Sequence, residues 1–198
     1  SSPTEDAQRL EAMREALGAD ARLRIDANAA WTLKEALEAL PVLDRAAGGL
    51  EYVEQPCASI EDLASLRREL DIPIAADESV RRAEDPLRVA RAEAADVLVM
   101  KAQPLGGVRS CLDLADQAGL PVVVSSALET SIGLSAGLAL AGALPELDHA
   151  CGLGTATLLT GDLVARPLHA EDGQLPVTRP VPDEDLLARH AADAELNV

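Results

Sequence analysis

Aromatic residues are nearly missing from this 198-residue chain, which has no phenylalanine, one tryptophan and one tyrosine. With 48% of its residues apolar, the core must be packed from Leu, Val, Ala and Ile, the filling found between barrel strands and their helices. Positive charge is also short. Against 34 Asp and Glu there are 17 Lys and Arg, for a net charge of −17. Such a field repels phosphate backbones and anionic lipid, so nucleic acid and membrane surfaces are excluded as partners, while cation binding is favoured. Lysine is the scarcest charged residue, with only Lys34 and Lys101. The cysteines, Cys57, Cys111 and Cys151, are odd in number and show no CxxC or Cys/His metal spacing. They read as reduced thiols, and the expected location is cytoplasmic. No basic-then-apolar leader opens the sequence. The longest uncharged apolar run, Thr130–Leu144, is too short to span a bilayer.

What is present is a regular alternation of helix-like and strand-like segments. Thr4–Leu17 reads as a helix with acidic residues at its start and Gly18 at its stop. Thr32 with Glu35 is a capping-box signature for a helix to about Ala47, in which Pro41 is a candidate kink or split. Ser59 with Asp62 opens a third helix, to about Leu70. Asp85-Pro86 places a cap and an N1 proline before Leu87–Glu93. Gly107–Ala118 and Ser131–Ala143 follow as further helices, and a short one begins near Asp183. Runs rich in Val, Ile and Leu fall between them, the last near His149–Gly152.

This βαβα order predicts an α/β fold with a parallel sheet, the later portion of a (β/α) TIM-type barrel with about six strands. A closed barrel needs about eight strands, so the first strands are expected to be absent from this chain. Residues 1–164 are expected to form the partial barrel. Residues 165–198, rich in Pro and charge, are expected to be an extension packed outside it.

Charged residues end four of the strand-like runs. Asp26, Glu54, Asp77 and Lys101 follow one another at intervals of 28, 23 and 24 residues, and Ser125 lies another 24 beyond. That interval is one strand, one helix and two short loops. Polar groups at the C-terminal ends of parallel strands meet at one mouth of such a barrel, where these enzymes keep their chemistry. Three carboxylates there point to a hard cation such as Mg²⁺; read singly, each is more often a solvated strand-end acid. Asn28 and Glu78 flank the acids, as hydrogen-bonding supports or as a turn residue and a helix cap. Lys101, at the end of Val97–Met100, suits proton transfer or the stabilisation of an anionic intermediate. Ser125, Ser126 and Glu129 follow the next strand and are candidates to hold a small-molecule carboxylate substrate, or to cap the helix at Ser131. Gly152, in Gly152-Leu153-Gly154, allows close approach of a ligand. His149, His169 and His190 show no metal or triad spacing and read as structural.

The ordered set Asp26-Ala27-Asn28, Val53-Glu54-Gln55-Pro56, Ala76-Asp77-Glu78-Ser79 and Met100-Lys101-Ala102-Gln103 resembles the enolase superfamily, in its muconate-lactonising-enzyme subgroup. A finer likeness, to dehydrating lyases of that subgroup, rests on Arg24–Trp31, Lys101–Gly107, Ser125–Thr130 and Cys151–Thr155. The resemblance implies Mg²⁺ on Asp26, Glu54 and Asp77 and a catalytic Lys101 that stabilises an ene-diolate, in a carbon–oxygen lyase reaction on the menaquinone route. A racemase or a cycloisomerase on the same scaffold is the alternative. A non-catalytic acidic barrel is the reading from another class. In the family a Lys-x-Lys pair supplies the base and an N-terminal domain caps the substrate. This sequence contains no Lys-x-Lys. The chain is therefore expected to be part of a longer enzyme and inactive by itself.

Overall fold

The computed structural model describes residues 3–82 and 84–191. The chain forms two compact units, Ser1–Val99 with Leu114–Val122, and Met100–Asp113 with Val123–Val198. The elements run α1 (Pro3–Leu17), β1 (Leu23–Asp26), α2 (Leu33–Ala47), β2 (Leu50–Glu54), α3 (Ile60–Glu69), β3 (Ile74–Ala76), α4 (Glu78–Arg81), α5 (Arg88–Arg91), β4 (Val97–Lys101), α6 (Val108–Ala118), β5 (Val122–Ser125), α7 (Ser131–Ala143) and α8 (Glu184–His190). A single 3₁₀ turn, Thr155–Leu158, lies between α7 and α8. The strands neighbour one another in chain order, β1-β2-β3-β4-β5. Pairing is parallel, with Asp26 opposite Glu54, Glu54 opposite Ala75 and Ala76 opposite Leu98. This is the α/β barrel portion expected from the sequence.

In the first unit β3 is buried along its whole length and β4 through Val99, while β1 buries only Leu23. Ile74, Ala75 and Ala76 of β3 are buried, as are Val97, Leu98 and Val99 of β4. Continuous apolar runs of this kind belong to parallel sheets covered on both faces. Helix α2 shows how local chemistry and burial combine. The Thr32 hydroxyl accepts from the Glu35 N–H, and the Glu35 carboxylate accepts from the Thr32 N–H, completing a capping box. Gly48 closes the helix in the left-handed conformation. Pro41 does not split it. Capping at both ends, with Ala36, Ala39, Leu40, Leu43 and Ala47 buried, outweighs the one backbone bond that proline removes.

Two expected elements come out differently. Asp85-Pro86 does not start a helix. The helix begins later, at Arg88, after Leu87. The Asp85 carbonyl accepts from the Arg88 N–H and its carboxylate pairs with Arg91, so its side chain is not used as a cap. The expected sixth strand near His149–Gly152 is reduced to one isolated parallel bridge between Gly152 and Ser125. Gly152 and Gly154 frame a single leucine there, and glycine in a strand weakens it. Among the described residues the sheet therefore has five strands rather than six.

In the second unit, α7 is anchored from outside its own N-terminus. Asp162 Oδ2 accepts from the Ser131 N–H at 3.0 Å and from the Ser131 hydroxyl at 2.7 Å. The Leu168 N–H donates to that hydroxyl. Gly137 lets α7 meet Leu153, since a Cβ at Gly137 would fall 2.7 Å from Leu153 Cδ2.

Arg14 is the tie between α1 and α2. Its Nε donates to the Ala47 carbonyl at 2.6 Å, and its Nη1 reaches the carbonyls of Gly18, Ala19 and Ala21 at 2.7–2.9 Å. Arg14→Ala is expected to lower stability by about 1–3 kcal/mol, because it strands several carbonyls at two helix ends at once. Arg14→Lys should recover only part of the loss, since an ammonium lacks the planar fork. Urea denaturation of the three proteins checks both statements; equal midpoints would remove Arg14 from this role.

Candidate functional site

The site in the first unit is built from strand ends. Asp26 closes β1 and Glu54 closes β2, and the two are register partners. Asp77 follows β3 directly and is only 2% exposed. The Asn28 backbone N–H donates to Asp26 Oδ1 at 2.8 Å, an Asx turn in which Asn28 and Ala29 have φ of 49° and 60°. The sequence placed Asn28 beside Asp26 as a support, and here its main chain makes the contact.

Arg81 is the residue that sequence reasoning missed. It lies one turn beyond Asp77. Its Nε donates to Asp77 Oδ1 at 2.8 Å and its Nη2 to Glu78 Oε1 at 2.6 Å. Burial pulls the Arg81 guanidinium down, but the hydrogen bond to Asp77 and the charges of Asp77, Glu78 and Glu54 more than restore it, so its pKa is raised. The signal in the sequence was the i, i+4 spacing of Asp77 and Arg81. The second oxygen of Glu78, Oε2, is buried with no hydrogen-bond donor. Among the described residues, no three His, Cys, Asp or Glu side chains stand together as a metal cage.

Gln55, fully buried, joins these strand ends. Its side-chain oxygen accepts from the N–H groups of Asp77 and Ser79, and its amide donates to Ser79 Oγ and the Cys57 carbonyl.

The second unit collects the remaining candidates. Lys101 ends β4 and is half-buried. Ser125 ends β5, and its hydroxyl lies 3.4 Å from the Gly152 carbonyl. The Ser126 N–H and hydroxyl both donate to that carbonyl at 3.0 Å, and the hydroxyl also lies 3.0 Å from Thr155 Oγ1. Thr155 Oγ1 accepts from the Glu129 N–H. Ser125, Ser126, Glu129 and Gly152 are thus brought together, with Thr155 as an addition the sequence did not single out. The helix after them is capped by Asp162, so these residues are not its cap. A Cβ at Gly133 would sit 2.9 Å from Glu129 Cβ, and at Gly152 would sit 3.0 Å from Ser125 Oγ. Burial raises the pKa of Glu129, and the charge of Lys101 partly opposes that rise.

Residues 1–183 match the family described as Enolase C-terminal domain-like. The chain belongs to that family. Among curated relatives it is 57% identical to the o-succinylbenzoate synthase of Thermobifida fusca (strain YX), over 97% of this chain and 60% of that protein. It is 53% identical to the o-succinylbenzoate synthase of Mycolicibacterium smegmatis, over 96% of this chain and 58% of that protein. The chain therefore spans about 60% of the length of these relatives. Among solved structures it superposes on a muconate lactonizing enzyme from Pseudomonas putida with a TM-score of 0.86 at 30% identity, covering 97% of this chain and 56% of that one. The 2-chloromuconate cycloisomerase from Rhodococcus opacus 1CP gives 0.85 at 30% identity, covering 98% and 55%. The resemblance to the enolase superfamily and its muconate-lactonising subgroup is borne out. Among the described residues no helix is long and apolar enough to cross a membrane.

Two predictions concern ionisable groups. Glu129 should titrate above an ordinary glutamate, and Lys101→Met should move it higher still by removing an attractive charge. Carbon-13 NMR titration of Glu129 in both proteins reads this directly; no movement on Lys101→Met would separate the two groups. With the folded pKa raised, the stability contribution is present below the unfolded-state pKa and lost as pH rises through the folded one. Glu129→Gln should therefore gain stability over wild type at neutral pH.

The thiols give the second test. Burial, with smaller effects of Asp62 and Glu35, pushes Cys57 up to about 11, and burial alone does the same for Cys111. Cys151 is half-buried. A disulfide reagent at pH 8 should modify Cys151 in the native state and reach Cys57 and Cys111 only after unfolding. Rapid native labelling of Cys57 would show that the β2 end is open to solvent.

Proposed function

We propose that this chain is the metal-binding and lysine-bearing part of an o-succinylbenzoate synthase, a Mg²⁺-dependent carbon–oxygen lyase acting on a small-molecule carboxylate in the cytoplasm, on the route to menaquinone. The observation that carries the reading is 57% identity to such an enzyme over nearly the whole chain, in a sequence that places Asp26 and Glu54 at strand ends and Asp77 directly after a strand. Muconate cycloisomerases share the scaffold at 30% identity, and the identity of 53–57% favours the synthase over a cycloisomerase or racemase.

The donor set suits a hard divalent cation, although its three carboxylates, all among the described residues, do not stand together as a cage in this structure. Asp26, Glu54 and Asp77 offer only oxygen donors, as Mg²⁺ prefers. Glu54, Asp77 and Glu78 act on one guanidinium, that of Arg81, and Glu78 Oε2 is buried without a donor. That is an electrostatic excess which a cation relieves. In this reading Asp26, Glu54 and Asp77 hold the ion, and Asn28 and Glu78 orient them. An ion held there would supply positive charge against the substrate carboxylate as negative charge builds on it. Lys101, on the strand after β3, stabilises the charge of the ene-diolate as an ammonium donor. In the second unit, Ser125, Ser126, Glu129 and Gly152 are assigned to contact a substrate carboxylate. The base is the Lys-x-Lys pair of the family, which the proposal assigns to the part of the enzyme that this chain does not span. The extension expected over residues 165–198 is kept as part of this proposal for residues 165–191; residues 192–198 lie outside the described residues.

In the intact enzyme, Asp77→Asn should weaken Mg²⁺ binding and turnover together, and Lys101→Ala should lower kcat about 10²–10³-fold with a far smaller change in KM. Steady-state kinetics at several Mg²⁺ concentrations checks both. Loss of α-proton exchange for one enantiomer only of an N-succinylamino acid in Lys101→Ala, followed by deuterium NMR, would instead identify Lys101 as a racemase base.

A further inference from the structure

The strongest unexplained feature in the molecule is the Gln55 carboxamide. It is 0% exposed, and all of its polar capacity is used. Its Oε1 accepts from the Asp77 N–H at 3.0 Å and the Ser79 N–H at 3.2 Å. Its Nε2 donates to Ser79 Oγ at 2.7 Å and the Cys57 carbonyl at 2.9 Å. The main chain of the same residue works in two further directions. Its N–H donates to the Ala75 carbonyl of β3 at 2.8 Å, and its carbonyl accepts from the Ala29 N–H, beyond β1, at 2.7 Å. Gln55 holds this position at φ 37°, in the left-handed region that a side chain rarely adopts. Strain of this kind persists only where surrounding bonds over-determine it, and it gathers at functional sites.

We propose that Gln55 is a positioning residue, whose buried carboxamide and main chain splint the loop after β1 and the start of α4 to the end of β2, so that the main chain carrying Asp26, Glu54 and Asp77 is held in one arrangement from which those acids bind a divalent cation. The inference rests on the reading of those acids as ligands. Only glutamine meets the demand here. Glutamate of the same shape has no Nε2–H pair for Cys57 and Ser79, and asparagine is one methylene shorter. Methionine fills the space with no hydrogen bond at all. The Asp77 N–H and Ser79 N–H would then lose their acceptor in a buried place, and the turn carrying Asp77 would relax. Supporting hydrogen bonds of this type commonly change metal affinity by about 10–100-fold.

The test is Mg²⁺ titration of the intact enzyme by calorimetry, without substrate, on wild type, Gln55→Met, Ser79→Ala, Asp77→Asn and the core control Leu63→Ala. Melting temperatures are measured alongside. Gln55→Met is expected to weaken Mg²⁺ binding about 10–100-fold. Ser79→Ala, which removes one of four carboxamide bonds, should weaken it less. Leu63→Ala should lower the melting temperature without moving Mg²⁺ affinity, which separates positioning from general stability. If Gln55→Met does not fold, Ser79→Ala against Leu63→Ala decides. Mg²⁺ affinity within two-fold of wild type in every foldable Gln55 and Ser79 variant, while Asp77→Asn binds weakly, overturns the role of Gln55 alone. Unchanged Mg²⁺ binding in Asp77→Asn overturns the ligand reading and the splint with it.

Discussion

The parallel register of β1, β2 and β3 is the constraint on which the site depends. Asp26 lies opposite Glu54, and Glu54 lies opposite Ala75, two residues before Asp77. In a strand the side-chain period is two, so a slip of one residue in either pairing would turn an acid to the other face. Burial prevents that slip. Tyr52, Val53, Ile74, Ala75 and Ala76 are all enclosed, and moving them outward would expose the apolar surface that drives folding. The apolar core thus sets the positions of charged groups that contribute nothing to it.

Burying Asp77 beside Glu78 has an electrostatic cost, and the chain meets it with arginine rather than lysine. Arg81 bonds Asp77 and Glu78 through different nitrogens of one planar fork, a geometry that a single ammonium cannot reproduce. Arg24 does the same service lower in the sheet. It pairs with Glu51 at 2.6 Å and lies 4.7 Å from the centre of the Tyr52 ring, its register partner. The two lysines have other surroundings. Lys34 is exposed beside Glu38, and Lys101 ends an apolar strand within the field of Glu129.

Most of the architecture was legible because it is written in local chemistry. Thr32 with Glu35, Ser59 with Asp62 and Asp183 are visible helix starts, and each side chain accepts the expected backbone bond. Asp85 failed as a cap because its carboxylate found Arg91 instead, a competition between charges that spacing does not rank. The sixth strand failed because glycine spacing does not tell a strand from a single bridge. The grouping of Ser125, Ser126, Glu129 and Gly152 was legible from their place after the last strands, but Thr155, which binds both Ser126 and Glu129, carried no signal of its own.

By itself the sequence determined the alternation of strand and helix, the apolar runs that bury, and the intervals that put Asp26, Glu54, Asp77 and Lys101 at strand ends. These follow from periodicity and capping, which act over a few residues. Only the tertiary structure decided what meets what. It closed Gln55 onto Asp77, Ser79 and Cys57, left Glu78 Oε2 without a donor, and bound Ser131 to Asp162 from 31 residues away. The physical reason is that a buried polar group takes its partner from whatever the fold brings within about 3 Å, and distance along the chain does not say which groups those are.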